Sequence, residues 1–261
     1  MAQVNFDQRP RIGVLGGAGY LARGIRVFTG TPGIRLLGLL PAVLAAVLVL
    51  ALLIVVVAVV DDAAAALTPF ADRWSEDART FVRTGVAFAL LVTYLILAVL
   101  TYATLTNVIG QPFFERVSDR VEHRLGDPPV GADAAWWRTL PRATVESVAL
   151  FVLVVAVNVP LFLLNFVPLL GQTFVPALQA LVSGFLLSVE LCAIPLQRRG
   201  LHLSERLRFA WRHRGAVTGF GVASFLLFLV PFANVLAMPG SIVGGTLLVR
   251  RLTGARDAAG S

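Results

Sequence analysis

From Ile34 to Val60 the chain runs for 27 residues with no charge beyond Arg35 at its start. As a helix at 1.5 Å per residue this run would reach roughly 40 Å, more than the ~30 Å hydrocarbon core of a bilayer. No soluble fold needs such a stretch, so lipid is the solvent in which the rest must be read. A cleaved signal peptide would be shorter and would begin nearer the start. Composition agrees with several spans rather than one anchor, since 57% of residues are hydrophobic and only 14% are charged. The net charge of +7 is carried by arginine, with no lysine anywhere. In this setting it reads as the basic bias of cytoplasmic loops rather than as a nucleic-acid surface. The single Cys192 excludes a disulfide within the chain.

The expected architecture is an all-α integral membrane domain. Residues 1–33 form a Gly-rich, basic cytoplasmic segment. Within it Leu21, Ile25 and Phe28 fall at helical spacing, which predicts a short amphipathic helix on the membrane surface. Residues 34–60 are the first span, closed by Asp61 and Asp62. Residues 61–84 are a loop with five acids and three arginines. Residues 85–109 are the second span, uncharged throughout. Residues 110–142 form a charged loop with a turn at Asp127, Pro128, Pro129 and Gly131.

Residues 143–196 are a long apolar region interrupted by Asn158, Pro160, Asn165, Pro168 and Gly171, which predicts a helical hairpin. Residues 197–214 carry six arginines and one acid, with Leu203, Leu207 and Trp211 four apart. That spacing fits an amphipathic interfacial helix. Residues 215–249 are a second hairpin, interrupted by Pro231, Asn234, Pro239 and Gly240. Residues 250–261 form a tail that carries Arg250, Arg251 and Arg256.

The arginines orient the chain. Loop 61–84 is acidic and arginine-poor, so it should lie outside, and every other polar segment should be cytoplasmic. Both hairpins then begin and end on the same side. Their tips hold no charge, and the piece after Pro239 is about 11 residues, too short to span. The last hairpin therefore reads as partly penetrating, whereas the first has length enough to cross. Broken helices at membrane depth survive only when buried in protein or lining water, and transporters build ion sites from them. Simple hairpin turns account for the same prolines.

Few residues point to chemistry. The run Ile12 to Gly19 mimics a dinucleotide fingerprint, but the spacing is wrong and a membrane helix follows where a second strand is needed. Pro32-Gly33-Ile34-Arg35 marks where the chain enters the membrane. Glycine admits close backbone approach, the first helical amides are free donors, and Arg35 adds a planar fork suited to an oxyanion. An anchor arginine snorkelling to headgroups is the plainer alternative. Glu190 lies in an apolar run, where an acid is a functional candidate by default. It would either exchange a proton or pair with Arg198 or Arg199. Glu146 stands one turn from Arg142, an ordinary helical ion pair. His123, His202 and His213 sit in three separate polar segments. No catalytic pattern stands out, so the chain reads as a non-enzyme with no metal or cofactor.

Four stretches resemble the CysZ-type sulfate permease family and its wider etoposide-induced-protein superfamily. The first is Arg23-Gly24 with Pro32-Gly33-Ile34-Arg35 and Pro41. The second is Pro112-Phe113 with Val121-Glu122 and Leu125-Gly126. The third is Pro168-Leu169-Leu170-Gly171. The fourth runs through Pro195, Arg199-Gly200-Leu201, Glu205-Arg206, Gly219-Phe220-Gly221, Pro231, Asn234, Met238-Pro239 and Gly244-Gly245-Thr246.

The resemblance implies two full spans with two partly penetrating hairpins. It also implies homo-oligomers in the bacterial inner membrane, and sulfate uptake for assimilation and cysteine biosynthesis. By position it implies a sulfate site at Gly33, Ile34 and Arg35. The family often carries a second arginine where this chain has Leu36. The family's Asp-Tyr-Pro is replaced by Ala193-Ile194-Pro195, with Glu190 one turn earlier. The partners expected are the lipid bilayer, sulfate or a related oxyanion, and further copies of the chain, with no nucleic acid. The alternative within the superfamily is a membrane scaffold that transports nothing.

Overall fold

The computed structural model describes residues 12–126, 136–166, 170–230 and 233–254, and among these there is no strand. The expected turn at 127–131, the prolines Pro168 and Pro231, and Arg256 lie outside the described residues. The chain forms two compact units, Gly38–Phe113 and the remainder, Met1–Leu37 with Phe114–Ser261.

The unit Gly38–Phe113 is built from α2 (Pro32–Leu67) beyond its first turns, a 3₁₀ turn (Pro69–Arg73) and most of α3 (Glu76–Leu125). Tyr94 donates its hydroxyl hydrogen bond to the Val49 carbonyl, and Arg83 pairs with Asp72 at 2.7 Å. Little apolar surface is covered within the unit. Only 11% of α2's most apolar 18-residue window is buried, and 6% of α3's. Leu50, Ile54, Ile96 and Val99 all face outward, which requires hydrocarbon as their surroundings.

Both helices outrun their expected bounds. α2 does not stop at Asp61 and Asp62. Ala63 to Leu67 are strong helix formers, so the helix continues until Pro69. Nor does α3 stop at Ile109. Residues 110–125 were expected to be loop because they are charged, yet Phe114, Val117 and Val121 are buried at helical spacing. They form an amphipathic extension that ends at Gly126 in the left-handed conformation (φ +72°).

The other unit is a helical core. α1 (Val14–Gly30) buries Gly17, Tyr20, Leu21, Gly24 and Phe28. The expected surface helix is thus longer, and its apolar stripe meets protein: α8 (Arg214–Phe228) and α9 (Asn234–Thr253). Small residues allow the backbones to touch. A Cβ on Gly17 would lie 2.0 Å from the Ala216 carbonyl oxygen, which gives the fingerprint-like glycine run a packing role.

The first hairpin is α4 (Trp136–Leu164) and α5 (Leu170–Leu191), followed by the short α6 (Ala193–Gln197). Asn158 and Pro160 do not interrupt α4. Asn158 instead accepts a hydrogen bond from Ser183 of α5 at 2.7 Å, joining the two helices. In the second hairpin Pro239 does not break the chain either. α9 runs unbroken for 20 residues, because neighbouring helices supply the support that a proline in a membrane helix needs. The length argument made from Pro239 therefore fails. What sets α9 apart is burial: 72% of its span-length window is covered by protein. α7 (Leu203–Arg212) lies between the hairpins. It turns Arg206, Phe209 and Ala210 inward and leaves Trp211 exposed. Among the described residues four helices are long and apolar enough to cross a membrane, and the protein is a multi-pass membrane protein.

Candidate functional site

The expected site lies where α1 passes into α2. Thr31 ends α1 in extended backbone, and Pro32 opens α2, where its missing N–H costs no hydrogen bond. The Thr31 carbonyl accepts from the Ile34 amide at 3.1 Å and the Arg35 amide at 2.9 Å. Of the free amides expected here, only that of Gly33 is left without a backbone acceptor among the described residues.

The amphipathic end of α3 holds this corner. Arg120 and Arg124 are four apart, hence on one helix face. Arg120 donates to the Gly33 carbonyl at 3.1 Å, and Arg124 donates to the Thr31 hydroxyl at 3.1 Å. A Cβ on Gly33 would sit 3.2 Å from the Arg120 guanidinium, so the glycine makes room for a side chain that steadies the turn.

Beside the corner is a cavity of about 380 Å³ to which Arg26, Thr31 and Arg124 contribute polar groups. Among the described residues no carboxylate lines it. The Ile34 side chain is buried and lines it, whereas Gly33 and Arg35 do not, and Arg35 is exposed. The structure thus keeps the three predicted residues at one helix start and adds Arg26, Thr31, Arg120 and Arg124. Sequence reading had Arg26 on a surface helix and the α3 arginines in a loop. Only the continuation of α3 past Pro112 brings these arginines to the corner.

Nearby acids are committed elsewhere. Glu122 is fully buried on α3. It accepts from Arg199 at 2.8 and 3.3 Å and from Arg250 of α9 at 2.7 Å. Asp119 pairs with Arg198 and, at 3.2 Å, with His123. The Ser118 and Thr246 hydroxyls meet at 2.9 Å in the same seam. Glu122, from the second family stretch, and Arg199 and Thr246, from the fourth, converge here.

The expected pairing of Glu190 with Arg198 or Arg199 is therefore not made. Both arginines serve α3, and Glu190 is exposed with no ion pair among the described residues. Glu146 is joined by Arg206 and, at 3.6 Å, by His202 of the following segment; the Arg142 side chain lies outside the described residues. His213, between α7 and α8, is held below the ordinary imidazole range by burial and by the adjacent Arg212 charge.

A family model described as Sulfate transporter CysZ/Etoposide-induced protein 2.4 matches residues 20–239. The chain belongs to this family. The match runs from α1 into α9 and takes in the Thr31–Arg35 corner, Arg120, Glu122, Arg124 and Arg199, stopping short of Thr246 and Arg250. Several curated relatives named Sulfate transporter CysZ are similar over nearly their full length. One from Vibrio cholerae serotype O1 is 26% identical over 238 residues, 89% of this chain and 92% of its own. One from Pseudomonas fluorescens is 25% identical over 247 residues, 94% and 96% of the two chains. One from Pseudomonas aeruginosa is 28% identical over 245 residues, 93% and 97%.

Proposed function

We propose that this CysZ-family protein is an inner-membrane permease for sulfate or a closely related oxyanion, feeding sulfate assimilation and cysteine biosynthesis. The observation that carries the reading is the charge balance at the α2 start. Among the described residues Arg26 and Arg124 at the cavity and Arg35 on the helix itself have no carboxylate partner, and the Gly33 amide has no backbone acceptor. A helix N-terminus beside guanidiniums that meet no carboxylate favours a tetrahedral anion electrostatically and offers donors to its oxygens. Near-full-length similarity to relatives named as sulfate transporters supports the same ligand. Gly33, Ile34 and Arg35 are then the entry corner, with Arg26 and Arg124 beside it, in a homo-oligomeric, non-enzymatic carrier or channel.

Sulfate uptake into proteoliposomes, paired with calorimetry, tests this. A charge-assisted bond to arginine contributes on the order of 1.5–3 kcal/mol, so Arg35→Ala and Arg124→Ala should each weaken sulfate binding by about 10- to 100-fold. Glu190 is the proton-exchange candidate of the same cycle, and Glu190→Gln should flatten the pH dependence of uptake. Saturable uptake that is missing in wild-type vesicles would leave a non-transporting membrane scaffold as the function.

The proposed membrane arrangement is two full spans, α2 and α3, with two hairpins that do not fully cross. The covered state of α9 supports the second hairpin lying within protein. Loop 61–84 then faces outside. Ser75 is exposed beside the 3₁₀ turn. On a Cys192→Ala background, Ser75→Cys should react with an impermeant thiol reagent in intact cells. Reaction only after permeabilisation would invert the arrangement.

A further inference from the structure

The cavity beside the α2 start is larger and less polar than a bare dianion requires. Its volume of about 380 Å³ falls in the range of ordinary small-molecule sites. That is roughly a dozen times one water's share of the liquid. Its polar groups are Arg26, Thr31 and Arg124, and the rest of the wall is Val27, Ile34, Val121, Leu125 and Leu247, with Gly30. An inorganic dianion seated at the arginines would find no donors on the aliphatic side and would leave that side in contact with water. An anion carrying a short hydrocarbon satisfies both halves. Its charged end meets the guanidinium forks, and its apolar end leaves water. Neither arginine has an acid of its own among the described residues, because Asp119 and Glu122 are engaged by Arg198, Arg199 and Arg250. Both guanidiniums are exposed at this mouth and open to an anionic ligand.

We propose that the cavity binds small organosulfonates or sulfate monoesters, with the sulfur oxyanion at Arg26 and Arg124 and the hydrocarbon against Val27 and Leu247. The inference rests on the reading of this corner as an oxyanion site and names a ligand class for it. Acidic phospholipids share the pairing of anion and hydrocarbon, but the limited volume favours a short substituent over acyl chains.

The test is calorimetry of the full-length protein with sulfate and with methane-, ethane-, propane- and butanesulfonate. A buried methylene contributes about 0.8 kcal/mol, so affinity should rise two- to fourfold, roughly, for each added carbon. Leu247 and Val27 are half-buried at the wall. Leu247→Trp, or Val27→Trp if the first variant does not fold, should fill the space and flatten this gradient. Arg124→Gln should weaken every sulfonate by the same factor.

Equal affinity for methane- and butanesulfonate would overturn the proposal. So would a gradient that survives both tryptophan variants, since that marks partition into detergent. Co-purification of an acidic phospholipid that blocks the sulfonates and is lost in Arg124→Gln would give the cavity to lipid, and would also overturn it. Sulfate binding with a flat sulfonate series would keep the permease reading and reject this one. A graded sulfonate series without sulfate binding would do the reverse.

Discussion

Glu122→Ala should be among the most destabilising single substitutions in this protein, by about 3–5 kcal/mol, the usual cost of stranding buried charge. The carboxylate is fully buried, and it neutralises Arg250, whose side chain is 2% exposed, and Arg199, at 13%. Without it the buried Arg250 and Arg199 guanidiniums lose the one carboxylate that both of them meet. Thermal unfolding of the purified variants gives the measure. Glu122→Gln should recover part of the loss, because an amide can still accept one hydrogen bond. The triple change Glu122→Leu, Arg199→Met, Arg250→Met should be much milder than Glu122→Ala alone, since replacing a whole buried network by apolar groups is often near neutral. A midpoint for Glu122→Ala within a degree of wild type would show that the network carries little. Function should suffer as well. Glu122 fixes the α3 end that carries Arg120 and Arg124, so sulfate binding is expected to fall even in the folded fraction.

The second large effect is expected from the smallest possible change. Gly24→Ala adds one methyl group on α1, at a point where a Cβ would lie 2.4 Å from the Gly240 carbonyl oxygen and 2.4 Å from the Gly244 amide nitrogen. Both obstacles are backbone, so no side chain can rotate away. α1 must withdraw from α9, at a cost of ~1–3 kcal/mol or more. Gly19→Ala is the control. It lies on the same helix with nothing within 4 Å of its Cβ, and it should be neutral or stabilising by up to about 1 kcal/mol. Monodispersity and unfolding midpoint of the pair decide the matter. Equal behaviour of the two variants would mean that α1 does not rest on α9.

Much of this fold is legible in hydropathy, because a 27-residue uncharged run can do little else. What stays hidden is which charges are inside. Glu190 and Glu122 show the difference. Glu190 stands in an apolar run and draws attention, yet it is exposed and makes no ion pair among the described residues. Glu122 sits among arginines in what reads as a loop, yet it is the most buried acid described. Local pattern reports neighbours along the chain, whereas both of Glu122's partners lie more than 75 residues away. The site was half legible for the same reason. Gly33, Ile34 and Arg35 are contiguous and visible as a motif. Arg124 reaches Thr31 across 93 residues, and only the helical extension beyond Pro112 places it there. Pro239 misled in the opposite direction, since a proline marks a helix end in water more reliably than in a core of packed helices.

The contact between α1 and α9 also sets a timetable for biogenesis. α1 (Val14–Gly30) leaves the ribosome well ahead of α9 (Asn234–Thr253). At about 5–20 residues per second the interval between them is on the order of 10–50 s. Until α8 and α9 are made, the stripe of Tyr20, Leu21 and Phe28 lacks the two helices that cover it, and the membrane surface offers it apolar shelter. The first helix can thus rest on the lipid headgroups early in synthesis and joins the core as α8 and α9 arrive. A chain truncated ahead of Gly240 would carry the Thr31–Arg35 corner without the Leu247 wall of its cavity and without the Arg250 partner of Glu122.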